Sequence, residues 1–227
     1  MPAPISIIIP TLNAEADLPG TLATLTEGLP SGLISELVIS DGGSSDATLA
    51  VADAAGAVLV EGSASRGGQL RRGVTASRGA WLLILHADTH LTAGWTEHVT
   101  DHLRDSPDKA GYFRLGFRAR GLMPGMVAGW ANLRAAAFGL PYGDQGLLVS
   151  RALYDAVGGY PDQPLMEDVA IARALRRRLV MLPSEARTSA ARYQRDGWMR
   201  RGVRNLWTLT RYRLGASPET LAQAYRR

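Results

Sequence analysis

The segment Glu36-Leu-Val-Ile-Ser-Asp41-Gly-Gly-Ser-Ser-Asp46 sets the fold. It starts as a short apolar run with β-branched residues, the pattern of a strand buried on both faces. It ends in two glycines that bend the chain and in Ser and Asp residues that cap a helix. The helix expected is Thr48–Ala55. A strand that passes through a Gly-rich turn into a helix is the repeating unit of a parallel sheet.

The same unit recurs on either side. Upstream, Ile5–Ile9 is a β-branched run stopped by Pro10, and Ala14–Leu29 has helical spacing, with Leu18, Leu22, Leu25 and Leu29 about one turn apart. Downstream come a strand over Ala57–Glu61, a helix over Gly67–Ser77, a fully apolar strand over Trp81–Leu85 and a helix over Gly94–Arg104. This alternation predicts an α/β fold, a mostly parallel sheet flanked by helices. Ligands of such sheets bind beyond the carboxyl ends of the strands. That rule selects Pro10-Thr11-Leu12-Asn13, Asp41–Asp46 and His86-Ala87-Asp88-Thr89.

After Pro107 the alternation loosens. The pattern gives a strand over Ala110–Arg118, a helix over Met123–Phe138, a turn at Pro141–Gly146, a strand over Leu147–Ser150, helices over Arg151–Val157 and Glu167–Arg178, and a short strand over Leu179–Leu182. An amphipathic helix follows over Asp196–Leu214. There is no repeat or linker, so residues 1–190 are expected to be one domain and 191–227 a basic helical tail.

Composition narrows the class. The 227 residues are 46% hydrophobic and 20% charged, ordinary for a globular chain. There is no cysteine, hence no disulfide, thiolate metal site or Cys nucleophile. The N-terminal Met-Pro-Ala-Pro-Ile-Ser has no basic stretch and only a short apolar core follows, so no signal peptide is expected. The apolar segment Gly121–Gly143 is interrupted by Pro124, Pro141 and three glycines, and reads as a buried or interfacial helix rather than a bilayer span. Charge is uneven: residues 1–172 carry 11 basic and 18 acidic side chains, residues 173–227 carry 14 and 3. A basic tail on an acidic body fits an anionic partner such as lipid head groups. The acidic body and the single lysine, Lys109, argue against nucleic acid.

Three polar clusters fall at strand ends or helix starts. Asp41, at the last position of its strand, is placed to accept a hydrogen bond from a base or ribose, whereas Ser45 and Asp46 are explained as helix caps. His86 and Asp88 follow the most apolar strand and are both in reach of a metal carried by a diphosphate, where one or two carboxylates commonly suffice. Ser65-Arg66-Gly67-Gly68 brings a cation and backbone N–H groups to a helix start, which suits a diphosphate. Glu167 and Asp168 open a helix; they either complement its dipole or supply a general base. His98 and His102, one turn apart, are expected at the surface. No Gly-x-Gly-x-x-Gly follows the first strand and no phosphate-binding Gly-Lys-Ser/Thr loop occurs. Within Asp196–Leu214, Trp198, Met199, Val203, Leu206, Trp207, Leu209 and Leu214 share one half of the helix and Arg200, Arg201, Arg204 and Arg211 the other. Two arrangements follow: docking with the arginines outward and both Trp buried, or the helix lying on an anionic membrane.

Taken in order, these segments resemble the family 2 glycosyltransferases, which have the GT-A fold. Ile9-Pro10-Thr11-Leu12-Asn13-Ala14-Glu15 looks like that family's first nucleotide-binding stretch and Asp41–Asp46, with Gly43, its second. His86-Ala87-Asp88 stands where the family has its Asp-x-Asp metal motif, with a histidine at the first position. Gly143-Asp144-Gln145-Gly146 resembles the acceptor-side region, and Glu167-Asp168 the pair whose Asp is the usual base. The likeness spans about residues 5–185 and is nearest to the small bacterial subgroup described as selenodomain-associated transferases.

The resemblance implies sugar transfer from a nucleoside-diphosphate sugar, expected to be a UDP-sugar, to an acceptor hydroxyl by a single inverting displacement. Asp168 would be the base, Pro10, Thr11, Asn13, Glu15, Asp41, Gly43, Asp46, Arg66 and Gly67 the nucleotide-binding residues, Asp88 with His86 the holders of Mn²⁺ or Mg²⁺, and Asp144 and Gln145 the acceptor side. The acceptor is open; segment 121–143 fits a lipid-like acceptor and a core helix equally. A cytoplasmic protein, peripheral on the inner face of the plasma membrane, is expected. The competing expectation is a nucleotide-binding, membrane-docking protein without transfer activity, kept alive by His86.

Overall fold

Strand β1, Ile5–Thr11, lies inside an eight-stranded sheet in the computed structural model, which describes residues 4–226. The chain continues through α1 (Leu18–Leu25), β2 (Ile34–Asp41), α2 (Thr48–Ala54), β3 (Val58–Glu61), α3 (Arg66–Ala76), β4 (Trp81–Ile84), β5 (His90–Leu91), α4 (Trp95–Asp105) and β6 (Ala110–Phe117). Then come α5 (Leu122–Phe138), β7 (Leu147–Ser150), α6 (Arg151–Ala156), α7 (Glu167–Ala174), β8 (Leu179–Thr188), α8 (Ala191–Asp196), α9 (Trp198–Arg213) and α10 (Pro218–Arg226). The strand order is β3-β2-β1-β4-β7-β6-β8-β5. The four strands at one end, β3 to β4, are mutually parallel; β7 is antiparallel to both its neighbours, β6 and β8 are parallel, and β5 is antiparallel to β8.

Alternation along β1 explains the two covered faces, because successive side chains point to opposite sides. Ile5, Ile7 and Ile9 join Leu18 and Leu25 of α1, Ala52 of α2, and Trp95 and Val99 of α4. Ile8 joins Leu70 and Val74 of α3, Leu153 and Tyr154 of α6, and Ile171 of α7. Each fully buried Ile contributes about 1.5–3 kcal/mol of hydrophobic stabilisation. All the parallel strands therefore end on one edge, and the loops after β1, β2 and β4 meet there.

Several elements differ from the expected ones. Helix α1 starts only at Leu18, because residues 13–15 are tied to the β2–α2 loop instead. Strand β8 runs on to Thr188 rather than stopping at Leu182: its register against β6 shifts between Phe113 and Arg114, so that Phe113 pairs with Leu182 and Arg114 with Glu185. Pro183 and Ser184 are accommodated in that irregularity, where the missing N–H of proline does no harm. The edge strand β5 and the helices α8 and α10 were not foreseen.

The basic tail corrects the expectation most. Helix α9 is docked, but turned from the expected orientation: Arg201 faces inward together with Leu209, while Arg200 stays exposed. Arg201 is only 7% exposed, bonded to Asp196 at 2.7 Å and to the Tyr225 hydroxyl at 2.8 Å, and Arg204 reaches the carbonyls of Ala224 and Tyr225. Outward lie Met199, Val203, Leu206, Trp207 and Leu214. Trp198 is half-buried against Phe117 and Tyr193. Fixed carboxylate, phenol and carbonyl acceptors on α8 and α10 outbid the apolar stripe for the inward side.

Candidate active site

The loops after β1 and β2 are built as one object. Asp41 is fully buried, and its carboxylate accepts from the Thr11 hydroxyl (2.8 Å), the Ser44 hydroxyl (2.6 Å) and the backbone N–H groups of Gly43 and Ser44 (both 2.7 Å). Burial alone would raise its pKa; these bonds overcome that and hold it below the usual carboxylate value. Asn13 Oδ1 accepts from Ser45 N–H, Asp46 from Glu15 N–H, and Glu15 from Ala47 N–H. Asn13 sits at φ 50°, a left-handed conformation that asparagine tolerates. From α3, the Gln69 amide donates to the carbonyls of Thr11 and Ser40, bridging the two strand ends.

The end of β4 meets the start of α3. Arg66 Nη2 lies 3.0 Å from His86 Nε2 and Arg66 Nε 3.4 Å from Glu167 Oε1. A guanidinium only donates, so His86 Nε2 accepts and the imidazole is neutral. Burial, then Arg66 and Arg192, push the His86 pKa well below its ordinary value, in agreement. Gly67 has a steric reason: its N–H donates to the Gln163 carbonyl, and a Cβ there would overlap the carbonyl oxygen of Pro161. Asp88 is half-buried, with Oδ2 3.3 Å from the Thr188 hydroxyl at the end of β8.

The third side of the site is the turn Gly143–Gln145 and the first turn of α7. Asp168 Oδ2 accepts from Gly143 N–H at 2.9 Å and Oδ1 from Val169 N–H at 2.8 Å. Met166, just before the helix, holds φ 65°, a strained conformation that fixes where Glu167 and Asp168 begin. Gly143 leaves no room for a side chain: a Cβ would lie 2.5 Å from His86 Nε2. Burial, reinforced by Asp168 and Asp88, pushes Asp144 up to about 6, and its Oδ1 has no partner among the described residues. Burial pushes Glu167 up to about 7 against the pull of Arg66. Gln145 is fully buried and spends its amide on the Phe113 carbonyl, Asn132 and Tyr142 N–H.

Two joined cavities result. A cleft of about 410 Å³ is lined by Pro10, Thr11, Asn13, Gln69 and Pro164 among others. A cavity of about 130 Å³ is lined by Tyr142, Asp144, Asp168, Thr188 and Tyr193 among others. Arg66, His86, Asp88, Leu165, Arg192 and Tyr225 border both. The structure thus brings Pro10, Thr11, Asn13, Arg66, His86, Asp88, Asp144 and Asp168 to one continuous opening. Glu15, Asp41, Gly43, Asp46 and Gly67 build its walls without lining it, Gln145 supports the turn from behind, and Glu167 lies behind Arg66. Sequence reading missed Gln69, Arg192, Tyr193 and Tyr225. Gln69 falls within the helix expected over Gly67–Ser77, directly after the glycines; the other three sit in a tail whose many arginines hid which of its side chains face the site. His98 and His102 take structural bonds to Ser184 and the Lys109 carbonyl, and His102 is buried rather than at the surface.

For a divalent ion the donor set is one hard carboxylate, Asp88, facing an opening roomy enough for a diphosphate. That fits Mg²⁺ or Mn²⁺, which take one or two protein carboxylates and complete their shell with phosphate and water. His86 fits less well, since its Nε2 lone pair is engaged by Arg66. No group of three or more His, Asp or Glu side chains suited to a metal exists among the described residues, so the protein alone does not form a cage.

The sequence pattern of glycosyl transferase family 2 matches residues 6–119, half of the chain and all but the first residue of the β1–β6 region. The chain belongs to this family. A PGL/p-HBAD biosynthesis glycosyltransferase of Mycobacterium tuberculosis is 38% identical over 99 residues, 40% of this chain. The match covers 38% of that relative, so this family 2 chain spans about two fifths of the length of the curated relatives it matches. Among solved structures, S. aureus TarS in complex with UDP-GlcNAc superposes with a TM-score of 0.63 at 16% identity, over 82% of this chain and 58% of that one. Glucosyl-3-phosphoglycerate synthase from M. tuberculosis, with Mn²⁺, UDP and phosphoglyceric acid, gives 0.59 at 19%, over 89% and 77%. A Pyrobaculum calidifontis mannosyltransferase with GDP-Man and Mn²⁺ gives 0.65 at 20%, over 97% and 69%. At these identities the likeness establishes the shared GT-A fold of this family member.

Proposed function

We propose that this protein transfers a sugar from a nucleoside-diphosphate sugar, with UDP the expected nucleotide, to an acceptor hydroxyl, with inversion at the anomeric carbon. The observation that carries this is the junction of the two cavities: the diphosphate-type cations Arg66 and Arg192 stand between the nucleotide cleft and a chamber holding Asp144 and Asp168. The fold neighbours bound to UDP-GlcNAc, to UDP with Mn²⁺ and to GDP-Man with Mn²⁺ support the donor class.

Each residue then has a task. Pro10, Thr11 and Asn13 face the base and ribose in a cleft whose shape Asp41, Asp46, Glu15 and Gln69 hold rigid. Arg66 and Arg192 meet the diphosphate as charge leaves with it. Asp88 is the residue that would hold Mn²⁺ or Mg²⁺, which, when bound, neutralises the diphosphate. Asp168 takes the acceptor proton: both its oxygens are fixed by backbone N–H groups, which aims the remaining lone pairs into the chamber. Asp144 supports a second assignment of the base, since it is pushed up to about 6 and has an unpartnered oxygen in the same chamber. The large apolar side chains left exposed on α9, Trp207 and Leu214 among them, support an acceptor met at the cytoplasmic face of a membrane.

Proton NMR of the sugar released from a UDP-sugar tests this reading. The inverted anomer should appear first, and Asp168→Asn should slow release by at least ~10²-fold. Loss in Asp144→Asn with a normal rate in Asp168→Asn would move the base to Asp144. First release of the retained anomer would overturn the single displacement.

A further inference from the structure

We propose that α5 and α9 dock this protein on an anionic lipid bilayer, their apolar stripes among the head groups and Arg173, Arg176 and Arg213 on lipid phosphates. The inference deepens the membrane placement above and rests on it.

Helix α9 carries Met199, Val203, Leu206, Trp207 and Leu214 on its outer side, Leu214 being 82% and Trp207 61% exposed. At 100° per residue the five fall within an arc of about 100°. The inward side holds Arg201, Thr208 and Leu209. Helix α5, which packs against α9, repeats the arrangement: Leu122, Met126, Trp130 and Leu133 are exposed and fall within an arc of about 80°. Ala131 and Ala135 face inward. A soluble surface rarely leaves two adjacent helices with large apolar side chains outward, two tryptophans among them. Tryptophan at the rim of an apolar face is the side chain that settles at the head-group level.

Charge chooses the occupant. Between the C-terminal ends of the two helices is a cavity of about 240 Å³, lined by Phe138, Leu140, Val169, Arg173, Arg176 and Arg213, with no carboxylate in its lining. Arg200 and Arg211 flank the α9 stripe. A second copy of the chain, docking symmetrically, would set these guanidinium groups against their own images. A bilayer with anionic phosphates meets the apolar stripes and the cations at once. Among the described residues no helix is long and apolar enough to cross a membrane, so the contact is lateral.

The test is co-sedimentation of the full chain with phosphatidylcholine vesicles containing phosphatidylglycerol, and with phosphatidylcholine alone, at low and high salt. Binding is expected to the anionic vesicles and to weaken with salt. Arg173→Gln/Arg176→Gln/Arg213→Gln should weaken it by about 10²-fold. Trp130→Ala/Trp207→Ala should weaken it by at least about tenfold. Both variants change exposed side chains, and unchanged melting temperatures verify that they fold. If the intact chain does not sediment, the surface and the membrane placement both fall, while the sugar-release experiment stands apart. If it sediments but both variants bind equally well, the membrane placement survives and this surface is overturned. A dimer in sedimentation velocity, lost in Trp130→Ala/Trp207→Ala and indifferent to vesicles, would assign the stripes to a second copy and overturn the proposal.

Discussion

Glu167 is buried in the first turn of α7 with Oε1 3.4 Å from Arg66 Nε and Oε2 without a partner among the described residues. Its pKa is pushed from 4.5 up to about 7 by burial. Between those values the folded protein keeps a proton that the unfolded chain has released. Stability contributed by the protonated form is therefore complete at low pH and is lost as pH rises through about 7. Glu167→Gln should melt at nearly the same temperature as the parent at pH 5 and a few degrees above it at pH 8. A difference that stays flat across that range would mean that Glu167 is ionised throughout. At this scale the residue types were legible in the sequence, since polar side chains at carboxyl ends of apolar strands announce themselves. Their division of labour was not. Asp41 and Asp46 stand in the nucleotide-type loop, yet their oxygens are consumed by Thr11, Ser44, Thr48 and Glu15. Only the path of the backbone shows which carboxylate is spent on a turn and which faces a cavity.

At the scale of elements, α9 shows why periodicity predicts a helix better than its orientation. The apolar and arginine sides were both plain in the sequence, but nothing local told which side α8 and α10 would take. Arg201 decides it, stacked near the rings of Tyr193 and Tyr225 and paired with Asp196. Arg201→Ala should cost about 2–3 kcal/mol, the scale of charged hydrogen bonds lost from a buried site. Thermal unfolding checks it: a drop of several degrees is expected, and Arg200→Ala, on the exposed side, should leave the transition unchanged. Equal melting of Arg201→Ala and the parent would place α9 elsewhere. Strand β8 is the parallel case for sheets. Pro183 ends a strand in any local reading, and only the register against β6 shows the chain absorbing it and continuing to Thr188, where the Thr188 hydroxyl reaches Asp88.

Over the whole molecule, the parallel half of the sheet was legible because each strand from β1 to β4 has an apolar run and a helix follows it, after β4 with only the two-residue β5 between. The antiparallel insertion of β7 was not, because a four-residue strand carries no mark of direction. Charge is divided along the same line: the acidic body supplies Asp88, Asp144 and Asp168, and the basic tail returns across the opening with Arg192 and Tyr225. The helices beyond β8 therefore close the site, and α9 among them is expected to carry, together with α5, the surface that meets lipid. The central claim is that this opening binds a nucleoside diphosphate together with a divalent ion on Asp88. Calorimetric titration of UDP into the full chain, with and without Mn²⁺, tests it most directly. Mn²⁺ should tighten UDP binding by about tenfold or more, UDP should tighten Mn²⁺ binding by the same factor, and Asp88→Asn should abolish the coupling while melting like the parent. The same coupling in Asp88→Asn, or no binding of UDP under either condition, would contradict the account.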